Sequence, residues 1–304
     1  MSIHISVLSQ EVLAAIAPRL GGVYVDGTLG GGGHTELLAR AVGPAGLVLA
    51  MDRDVKAIDA TEERLKQLRQ TDSDLATIRF AHANFCDFPD ALRLLKIEQV
   101  DGFLLDIGLS SDQLADRNRG FSFDSDGPFD LRFDTTEGLP AYELLEKWSE
   151  ERIANTIYEY GEEKFSRRIA RRIVERRREN LSIRTARELA ELVRSCVPMQ
   201  RKTNRHSTTI DSATRTFQAL RIAVNDELGS LETFLKQVST HLKPGGRVAV
   251  ISFHSLEDRI VKNAFRDDPN LESVTKKPIT AGEEELEHNP RSRSAKLRVA
   301  EKVC

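Results

Sequence analysis

The chain has 304 residues, of which 40% are hydrophobic and 30% charged, and its formal net charge is −3. That length buries a sizeable core in one large or two modest domains, and no apolar run is long enough to span a bilayer, which sets aside a helical membrane protein or a membrane partner. The opening residues Met1 to Ser6 lack the basic and apolar regions of a signal peptide, so a cytoplasmic location is expected. Cys86, Cys196 and Cys304 form no Cys-x-x-Cys pair and no His cluster stands at ligand spacing, so neither a disulfide framework nor a metal site is indicated. The near-neutral total argues weakly against nucleic acid, but totals conceal local patches.

Residues 1–20 carry Val7, Leu8, Val12, Leu13, Ile16 and Leu20 in a pattern that predicts an amphipathic helix. A first strand at Val23–Asp26 runs into Gly27-Thr28-Leu29-Gly30-Gly31-Gly32-Gly33-His34-Thr35, and Glu36–Arg40 begins a helix. Strand, glycine loop and helix make a nucleotide-binding turn: glycine reaches positive φ and leaves no Cβ before a ligand, while the helix start offers free N–H groups. The alternative is a merely flexible connector. Leu47–Met51 reads as a buried parallel strand ending on Asp52, with a returning helix over Ala57–Gln70. Asp52 stands about two dozen residues after Gly27, near the roughly 20-residue offset at which a carboxylate meets ribose hydroxyls. Its alternative is a strand-end Asp capping the next turn. Strands at Ile78–Ala81 and Val100–Leu105 follow, the second ending on Asp106. Strands separated by helices mean α/β with ligand at the carboxyl ends, where Gly27, Asp52, Phe85 and Asp106 share one edge.

From about Asp112 the pattern breaks. Residues 117–134 show neither periodicity yet hold several Phe and Arg, which predicts an ordered loop, either a lid or base-contacting surface or a cover for the core. Residues 141–197 read as helices, with a capping box at Thr185-x-x-Glu188. Between Lys164 and Arg178 lie Arg167, Arg168, Arg171, Arg172, Arg176 and Arg177, with Glu175 the one interleaved acid. Phosphate contact is the functional reading and a solvated face the ordinary one. After the basic loop Arg201–His206, a helix from near Asp211 carries Arg215, Phe217, Leu220 and Arg221. Leu242-Lys243-Pro244-Gly245-Gly246 closes a further helix, and Arg247–Ser252 is a fifth strand, so the α/β sheet resumes and the helices are an insertion. Past an acidic turn at Glu283–Glu285, residues 289–300 read as a basic loop and a terminal edge strand.

No strict G-x-G-x-x-G fits on Gly27–Thr35, so the spacing fails for a nicotinamide dehydrogenase. S-adenosylmethionine carries no pyrophosphate and shares the ribose requirement. At this point nearly the whole chain resembles the RsmH (MraW) family of bacterial 16S rRNA cytosine-N4 methyltransferases. The matching segments include His4-x-Ser6-Val7-Leu8, Val25-Asp26-Gly27-Thr28, Gly32-Gly33-His34, Asp52-Arg53-Asp54, Leu105-Asp106-Ile107-Gly108-Leu109-Ser110-Ser111-x-Gln113-Leu114, Arg119-Gly120-Phe121-Ser122-Phe123, Ala213-Thr214-Arg215-Thr216-Phe217 and Ser252-Phe253-His254-Ser255-Leu256-Glu257-Asp258.

The resemblance implies a class I, Rossmann-like methyltransferase sheet with an inserted all-helical domain for substrate recognition. Its divisions are expected at 1–111, 112–210 and 211–304. It implies methyl transfer from S-adenosylmethionine to the N4 of a cytidine in the decoding region of 16S rRNA, position 1402 in the family. Cofactor contacts fall on Gly32, Gly33, His34, Asp52, Phe85, Asp106 and Gln113. Asp106 is also a candidate acceptor for the N4 proton, and His254 a candidate contact to the base. Arg167, Arg171, Arg172, Arg176, Arg177 and Arg215 are the expected RNA contacts, the partner being 16S rRNA or the small ribosomal subunit and the protein a monomer or homodimer. Asp211-Ser212 stands where the family commonly has a His-Pro pair. Cys86 has no base beside it, which speaks against a thiol mechanism. A noncatalytic ribosome-assembly factor and a nicotinamide oxidoreductase are the rival classes.

Overall fold

The computed structural model describes residues 6–198 and 211–303. His4, the basic loop Arg201–His206, the stretch Ser207–Ile210 and Cys304 lie outside the described residues. In chain order the first elements are α1 (Ser9–Ile16), β1 (Val23–Asp26), α2 (Gly33–Val42), β2 (Leu47–Asp52), α3 (Val55–Thr71), β3 (Thr77–His82), α4 (Phe88–Leu94) and β4 (Val100–Asp106). Helices α5 (Ser111–Ala115), α6 (Ala141–Lys147), α7 (Glu150–Gly161), α8 (Ser166–Arg178), α9 (Ala186–Cys196) and α10 (Thr214–Asn225) follow. The chain closes with α11 (Glu227–His241), β5 (Leu242–Ser252), α12 (Ser255–Asp267), β6 (Leu271–Ser273), α13 (Glu283–His288) and β7 (Lys296–Lys302). Among the described residues no helix is long and apolar enough to cross a membrane.

Two compact units result: residues 1–110 with 228–304, and residues 111–227. The first holds a seven-stranded sheet of order β3-β2-β1-β4-β5-β7-β6. Strands β1 to β5 are parallel, and the apolar runs of β1, β2, β4 and β5 are continuous because both faces are covered, whereas β3 at the rim is half-buried. Successive side chains point to opposite faces. Val25, Phe103, Leu105, Val248 and Val250 therefore pack with Phe88, Phe234, Val238 and Phe265, whereas Tyr24, Leu104, Ala249 and Ile251 pack with Val12, Leu38 and Val42. Pairing of Asp26 with Ala50 and Leu104 aligns the strands so that Asp26, Asp52 and Asp106 end β1, β2 and β4 on one side of the sheet.

Two expectations for this unit need correction. The last strand is not an edge: β7 pairs antiparallel with β5 on one side and with β6 on the other, and the short β6 forms the rim. Its position follows from its composition, because Leu297, Val299 and Ala300 are fully buried and an edge could not cover them. Residues 242–246 belong to β5, whose register against β4 shifts between Val100 and Gly102 to admit the Pro-Gly-Gly bend.

In the second unit α7 lies between α8 and α10, and Ile153, Ile157, Ile169, Ile173, Leu189, Val193, Phe217 and Leu220 are buried. The expected boundary at 210/211 moves to the end of α10. Gly161 explains why: a Cβ there would stand 2.5 Å from the Arg215 carbonyl oxygen, so its absence lets the α10 backbone lie against α7. Gln218 fastens the pair by donating to the Tyr160 carbonyl at 3.0 Å. The Thr185 capping box forms as predicted. Asp211, in place of the family's His, accepts from the Ala213 amide at 2.8 Å and pairs with Arg194 at 2.6 Å, which supplies a turn before α10 without a proline. The Phe-rich loop is ordered as a core cover: Phe123 and Phe129 set their rings edge-on against Phe217, and buried Arg119 donates to the carbonyls of Arg132 and Phe133.

Candidate active site

The glycine loop is built from inside. Gly30 and Gly32 have φ of 47° and 75°, and Gly30 has only the Thr28 carbonyl near its Cβ direction. The other positions are crowded by protein: a Cβ would collide with Leu105 at Gly27, with Thr61 at Gly32 and with Ser6 at Gly33. Three of these glycines therefore answer to neighbouring side chains, a reason that the sequence pattern, read for ligand approach alone, does not contain. Thr61 also donates to the Gly30 carbonyl at 2.8 Å, and the Arg64 guanidinium reaches the Gly31 carbonyl at 3.0 Å.

Asp52 ties the loop to β2. One carboxylate oxygen accepts from the Gly30 amide at 2.8 Å and the other from the Asp54 amide at 2.9 Å. It thus does cap the turn that follows, and each oxygen retains a lone pair for a ligand hydroxyl. Burial, with the Asp54 and Asp26 charges, pushes its carboxyl up to about 6 against the pull of those two amides.

Asp106, at the end of β4, has its backbone N–H held by the Thr28 hydroxyl at 2.6 Å. Its Oδ2 lies 3.6 Å from His34 Nε2, and its Oδ1 is buried without a hydrogen-bond partner in the protein. A buried acceptor left open is costly, and such an atom at a strand's carboxyl end suits a ligand that brings a donor. Phe85, in a short 3-10 turn after β3, is half-buried with its ring edge-on to Phe234. Gln113 lies on α5 in the helical unit, half-buried.

The geometry gives His254 different work. It is the N-cap of α12, its Nδ1 accepting from the Glu257 amide, its Nε2 2.9 Å from the Glu257 carboxylate, and Glu257 closing the box by accepting from the His254 and Phe253 amides. Nδ1 is taken up by the cap, whereas Nε2, though close to the Glu257 carboxylate, is buried without a hydrogen-bond partner in the protein. Cys86 is half-buried, and burial together with Asp87 pushes its thiol up to about 11. At neutral pH it is a thiol and a poor nucleophile. Cys86→Ser is expected to keep methyl transfer within about twofold of the parent, its cost being the modest one of a half-buried substitution; complete loss in a steady-state assay would reopen a thiol mechanism.

The basic helix α8 also divides. Arg177 donates to the carbonyls of Leu145, Glu146 and Trp148 at 2.8 to 2.9 Å, closing the C-terminus of α6. Arg176 donates to the Leu181 carbonyl at 3.0 Å, Arg172 pairs with Glu175 at 3.2 Å, and Arg171 lies 3.8 Å from Glu150. Arg167, Arg168 and, on α10, Arg215 are exposed. Sequence alone could not tell these apart, since every arginine in the run looks alike until the carbonyls of α6 are placed.

A sheet of this order, parallel but for β7, with its glycine loop after β1 and its carboxylates at the ends of β2 and β4, is that of an S-adenosylmethionine-dependent methyltransferase of class I. The donor set fits that cofactor: Asp52 can take ribose hydroxyl protons, and the open Asp106 Oδ1 can take an N–H. The sequence matches the MraW methylase family over residues 1–303, and the chain belongs to that family. It is 50% identical over 300 residues to the ribosomal RNA small subunit methyltransferase H of Synechocystis sp., covering 99% of this chain and 93% of the relative. The protein of the same name from Rhodopirellula baltica is 48% identical over 307 residues, with 99% and 91% covered. Among solved structures it is similar to a putative methyltransferase from Streptococcus mutans in complex with SAH, at 11% identity and a TM-score of 0.47 over 98% of this chain and 99% of that one.

Proposed function

We propose that this protein methylates small-subunit ribosomal RNA, at the exocyclic N4 of a cytidine in the decoding region. The relatives' names support the RNA, and the resemblance of the motif segments supports the atom. The observation that carries the chemistry is the open, buried Oδ1 of Asp106 at the carboxyl end of β4.

Cytosine N4 is a weak nucleophile because its lone pair is delocalised into the ring, so an acceptor for its N–H groups and an in-line hold are what the protein must supply. Bound S-adenosylmethionine provides an electrophilic methyl group. Asp52 would hold the ribose, Gly32, Gly33, His34 and Phe85 would complete the cofactor's seat, and of the two competing roles of Asp106 cofactor binding ranks first. The acceptor for the amine's N–H groups is then either Asp106 or the carbonyls of residues 107–110. The alkylated nitrogen is acidic and sheds its proton to solvent without a strong base. The helical unit, with Arg167, Arg168, Arg171, Arg172 and Arg215, grips RNA phosphates, so that the target base is presented unstacked.

The test is purified protein with labelled methyl donor and small subunits or their RNA, followed by mass analysis of nucleosides. Label in N4-methylated cytidine is expected. Label at carbon 5 or in another nucleoside overturns the assignment of the atom, and absence of turnover favours a noncatalytic assembly factor.

A further inference from the structure

Behind Asp106 lies a buried charge cluster whose importance rests on the role given to Asp106 above. Asp26, fully buried at the end of β1, accepts from the Thr35 hydroxyl at 2.6 Å and from the Thr28 amide at 3.1 Å. Thr28 in turn holds the Asp106 backbone through its hydroxyl. The His34 imidazole, 5% exposed on the first turn of α2, stands 3.6 Å from the Asp106 carboxylate, and the Val7 backbone also acts on the ring. No lysine or arginine pairs with Asp26 or Asp106 among the described residues. Asp26 is fully buried and Asp106 largely so, and the imidazole is the group placed to offset their charge.

We infer that His34 is a positioning residue: standing beside the Asp106 carboxylate, it fixes that group so that its free oxygen faces the reacting groups. The backbone contacts that a glycine loop offers a cofactor do not require a histidine side chain here. The packed electrostatic geometry does. Burial pulls the imidazole down, but Asp106 beside it and Asp26 behind it outweigh that and leave His34 above its ordinary value. The charged groups facing the ring are Asp106 from β4 and Asp26 from β1, while the segment Ser6–Leu8 brings a hydroxyl and backbone, and Asp52 on β2 acts on Asp26. Because the charged form is favoured in the folded protein, the pair is intact below the unfolded imidazole's value and is lost as pH rises through the folded one.

The experiment is nitrogen NMR of the His34 ring in the intact protein, titrated without cofactor, together with the pH profile of methyl transfer for the parent and for His34→Gln. The expected result is an imidazolium at pH 7 that titrates above that value. Parent kcat/KM should decline along the same alkaline limb, and His34→Gln should lose this limb along with about tenfold to a hundredfold of the pH 7 rate. A neutral ring at pH 7, or an alkaline limb retained in His34→Gln, overturns the inference. Should His34→Gln fail to fold, the parent titration and its match to the parent rate profile decide. The ring titration needs no substrate, so it fails or succeeds independently of which RNA atom is methylated.

Discussion

Asp52→Ala is expected to weaken S-adenosylmethionine binding by roughly tenfold to a hundredfold in titration calorimetry, about 1.4 to 2.8 kcal/mol. The size follows from two losses. The acceptor for the ribose hydroxyls goes, and a hydrogen bond to a charged group is worth about 1.5 to 3 kcal/mol. The Gly30 amide is also released, so the loop that faces the cofactor is no longer anchored to β2. Because its carboxyl is pushed up to about 6, affinity should fall as pH falls through that value, since a protonated carboxyl surrenders acceptor capacity. Folding stability should respond with the opposite sign. Between the ordinary carboxylate range and about 6 the folded protein holds the extra proton, so the Asp52 contribution declines as pH rises across that window. Equal affinities for the parent and Asp52→Ala, or affinity flat across pH 5 to 7, would leave Asp52 as a turn cap only.

Arg177→Ala is expected to destabilise the helical unit by about 2 to 4 kcal/mol in denaturant unfolding, because three carbonyl oxygens at the end of α6 lose one charged donor. Arg167→Ala with Arg168→Ala should leave stability within about 0.5 kcal/mol. That double variant should instead weaken RNA binding and reduce the salt slope by roughly one for each phosphate no longer neutralised. An unchanged slope would make this face of α8 an ordinary solvated one. A parent-like midpoint for Arg177→Ala would show that water replaces the guanidinium at α6 without cost. The contrast is informative because both sets sit in one helix and differ only in what surrounds them.

Most of the sheet is legible in the residues. Four of the five parallel strands announce themselves as apolar runs ending on Asp or Ser, and the Thr185 capping box is a local signal that needs no tertiary knowledge. What depends on distant neighbours is not legible. Leu297 and Val299 look like one face of a rim strand until β6 is known to lie outside them. That Ser6 fills the space of a Gly33 Cβ appears only once the two segments are placed, and Gly161 passes unnoticed until α10 lies on it. The same holds at the site: Asp52 and Asp106 stand out by their offsets, whereas the link from Asp26 through Thr28 to Asp106 joins β1 to β4 and exists only once those strands pair. That His254 caps α12 is likewise invisible until the helix is placed, because a histidine at a strand end and a histidine capping a helix share one sequence.

The place of β7 has a consequence for biosynthesis. The strand that seals β5 is translated after α12 and β6, so until it emerges β5 keeps an unfinished border of free amides and carbonyls. Because β6 reaches the sheet only through β7, neither strand can be laid down beside β5 until residues 296–302 have emerged and paired.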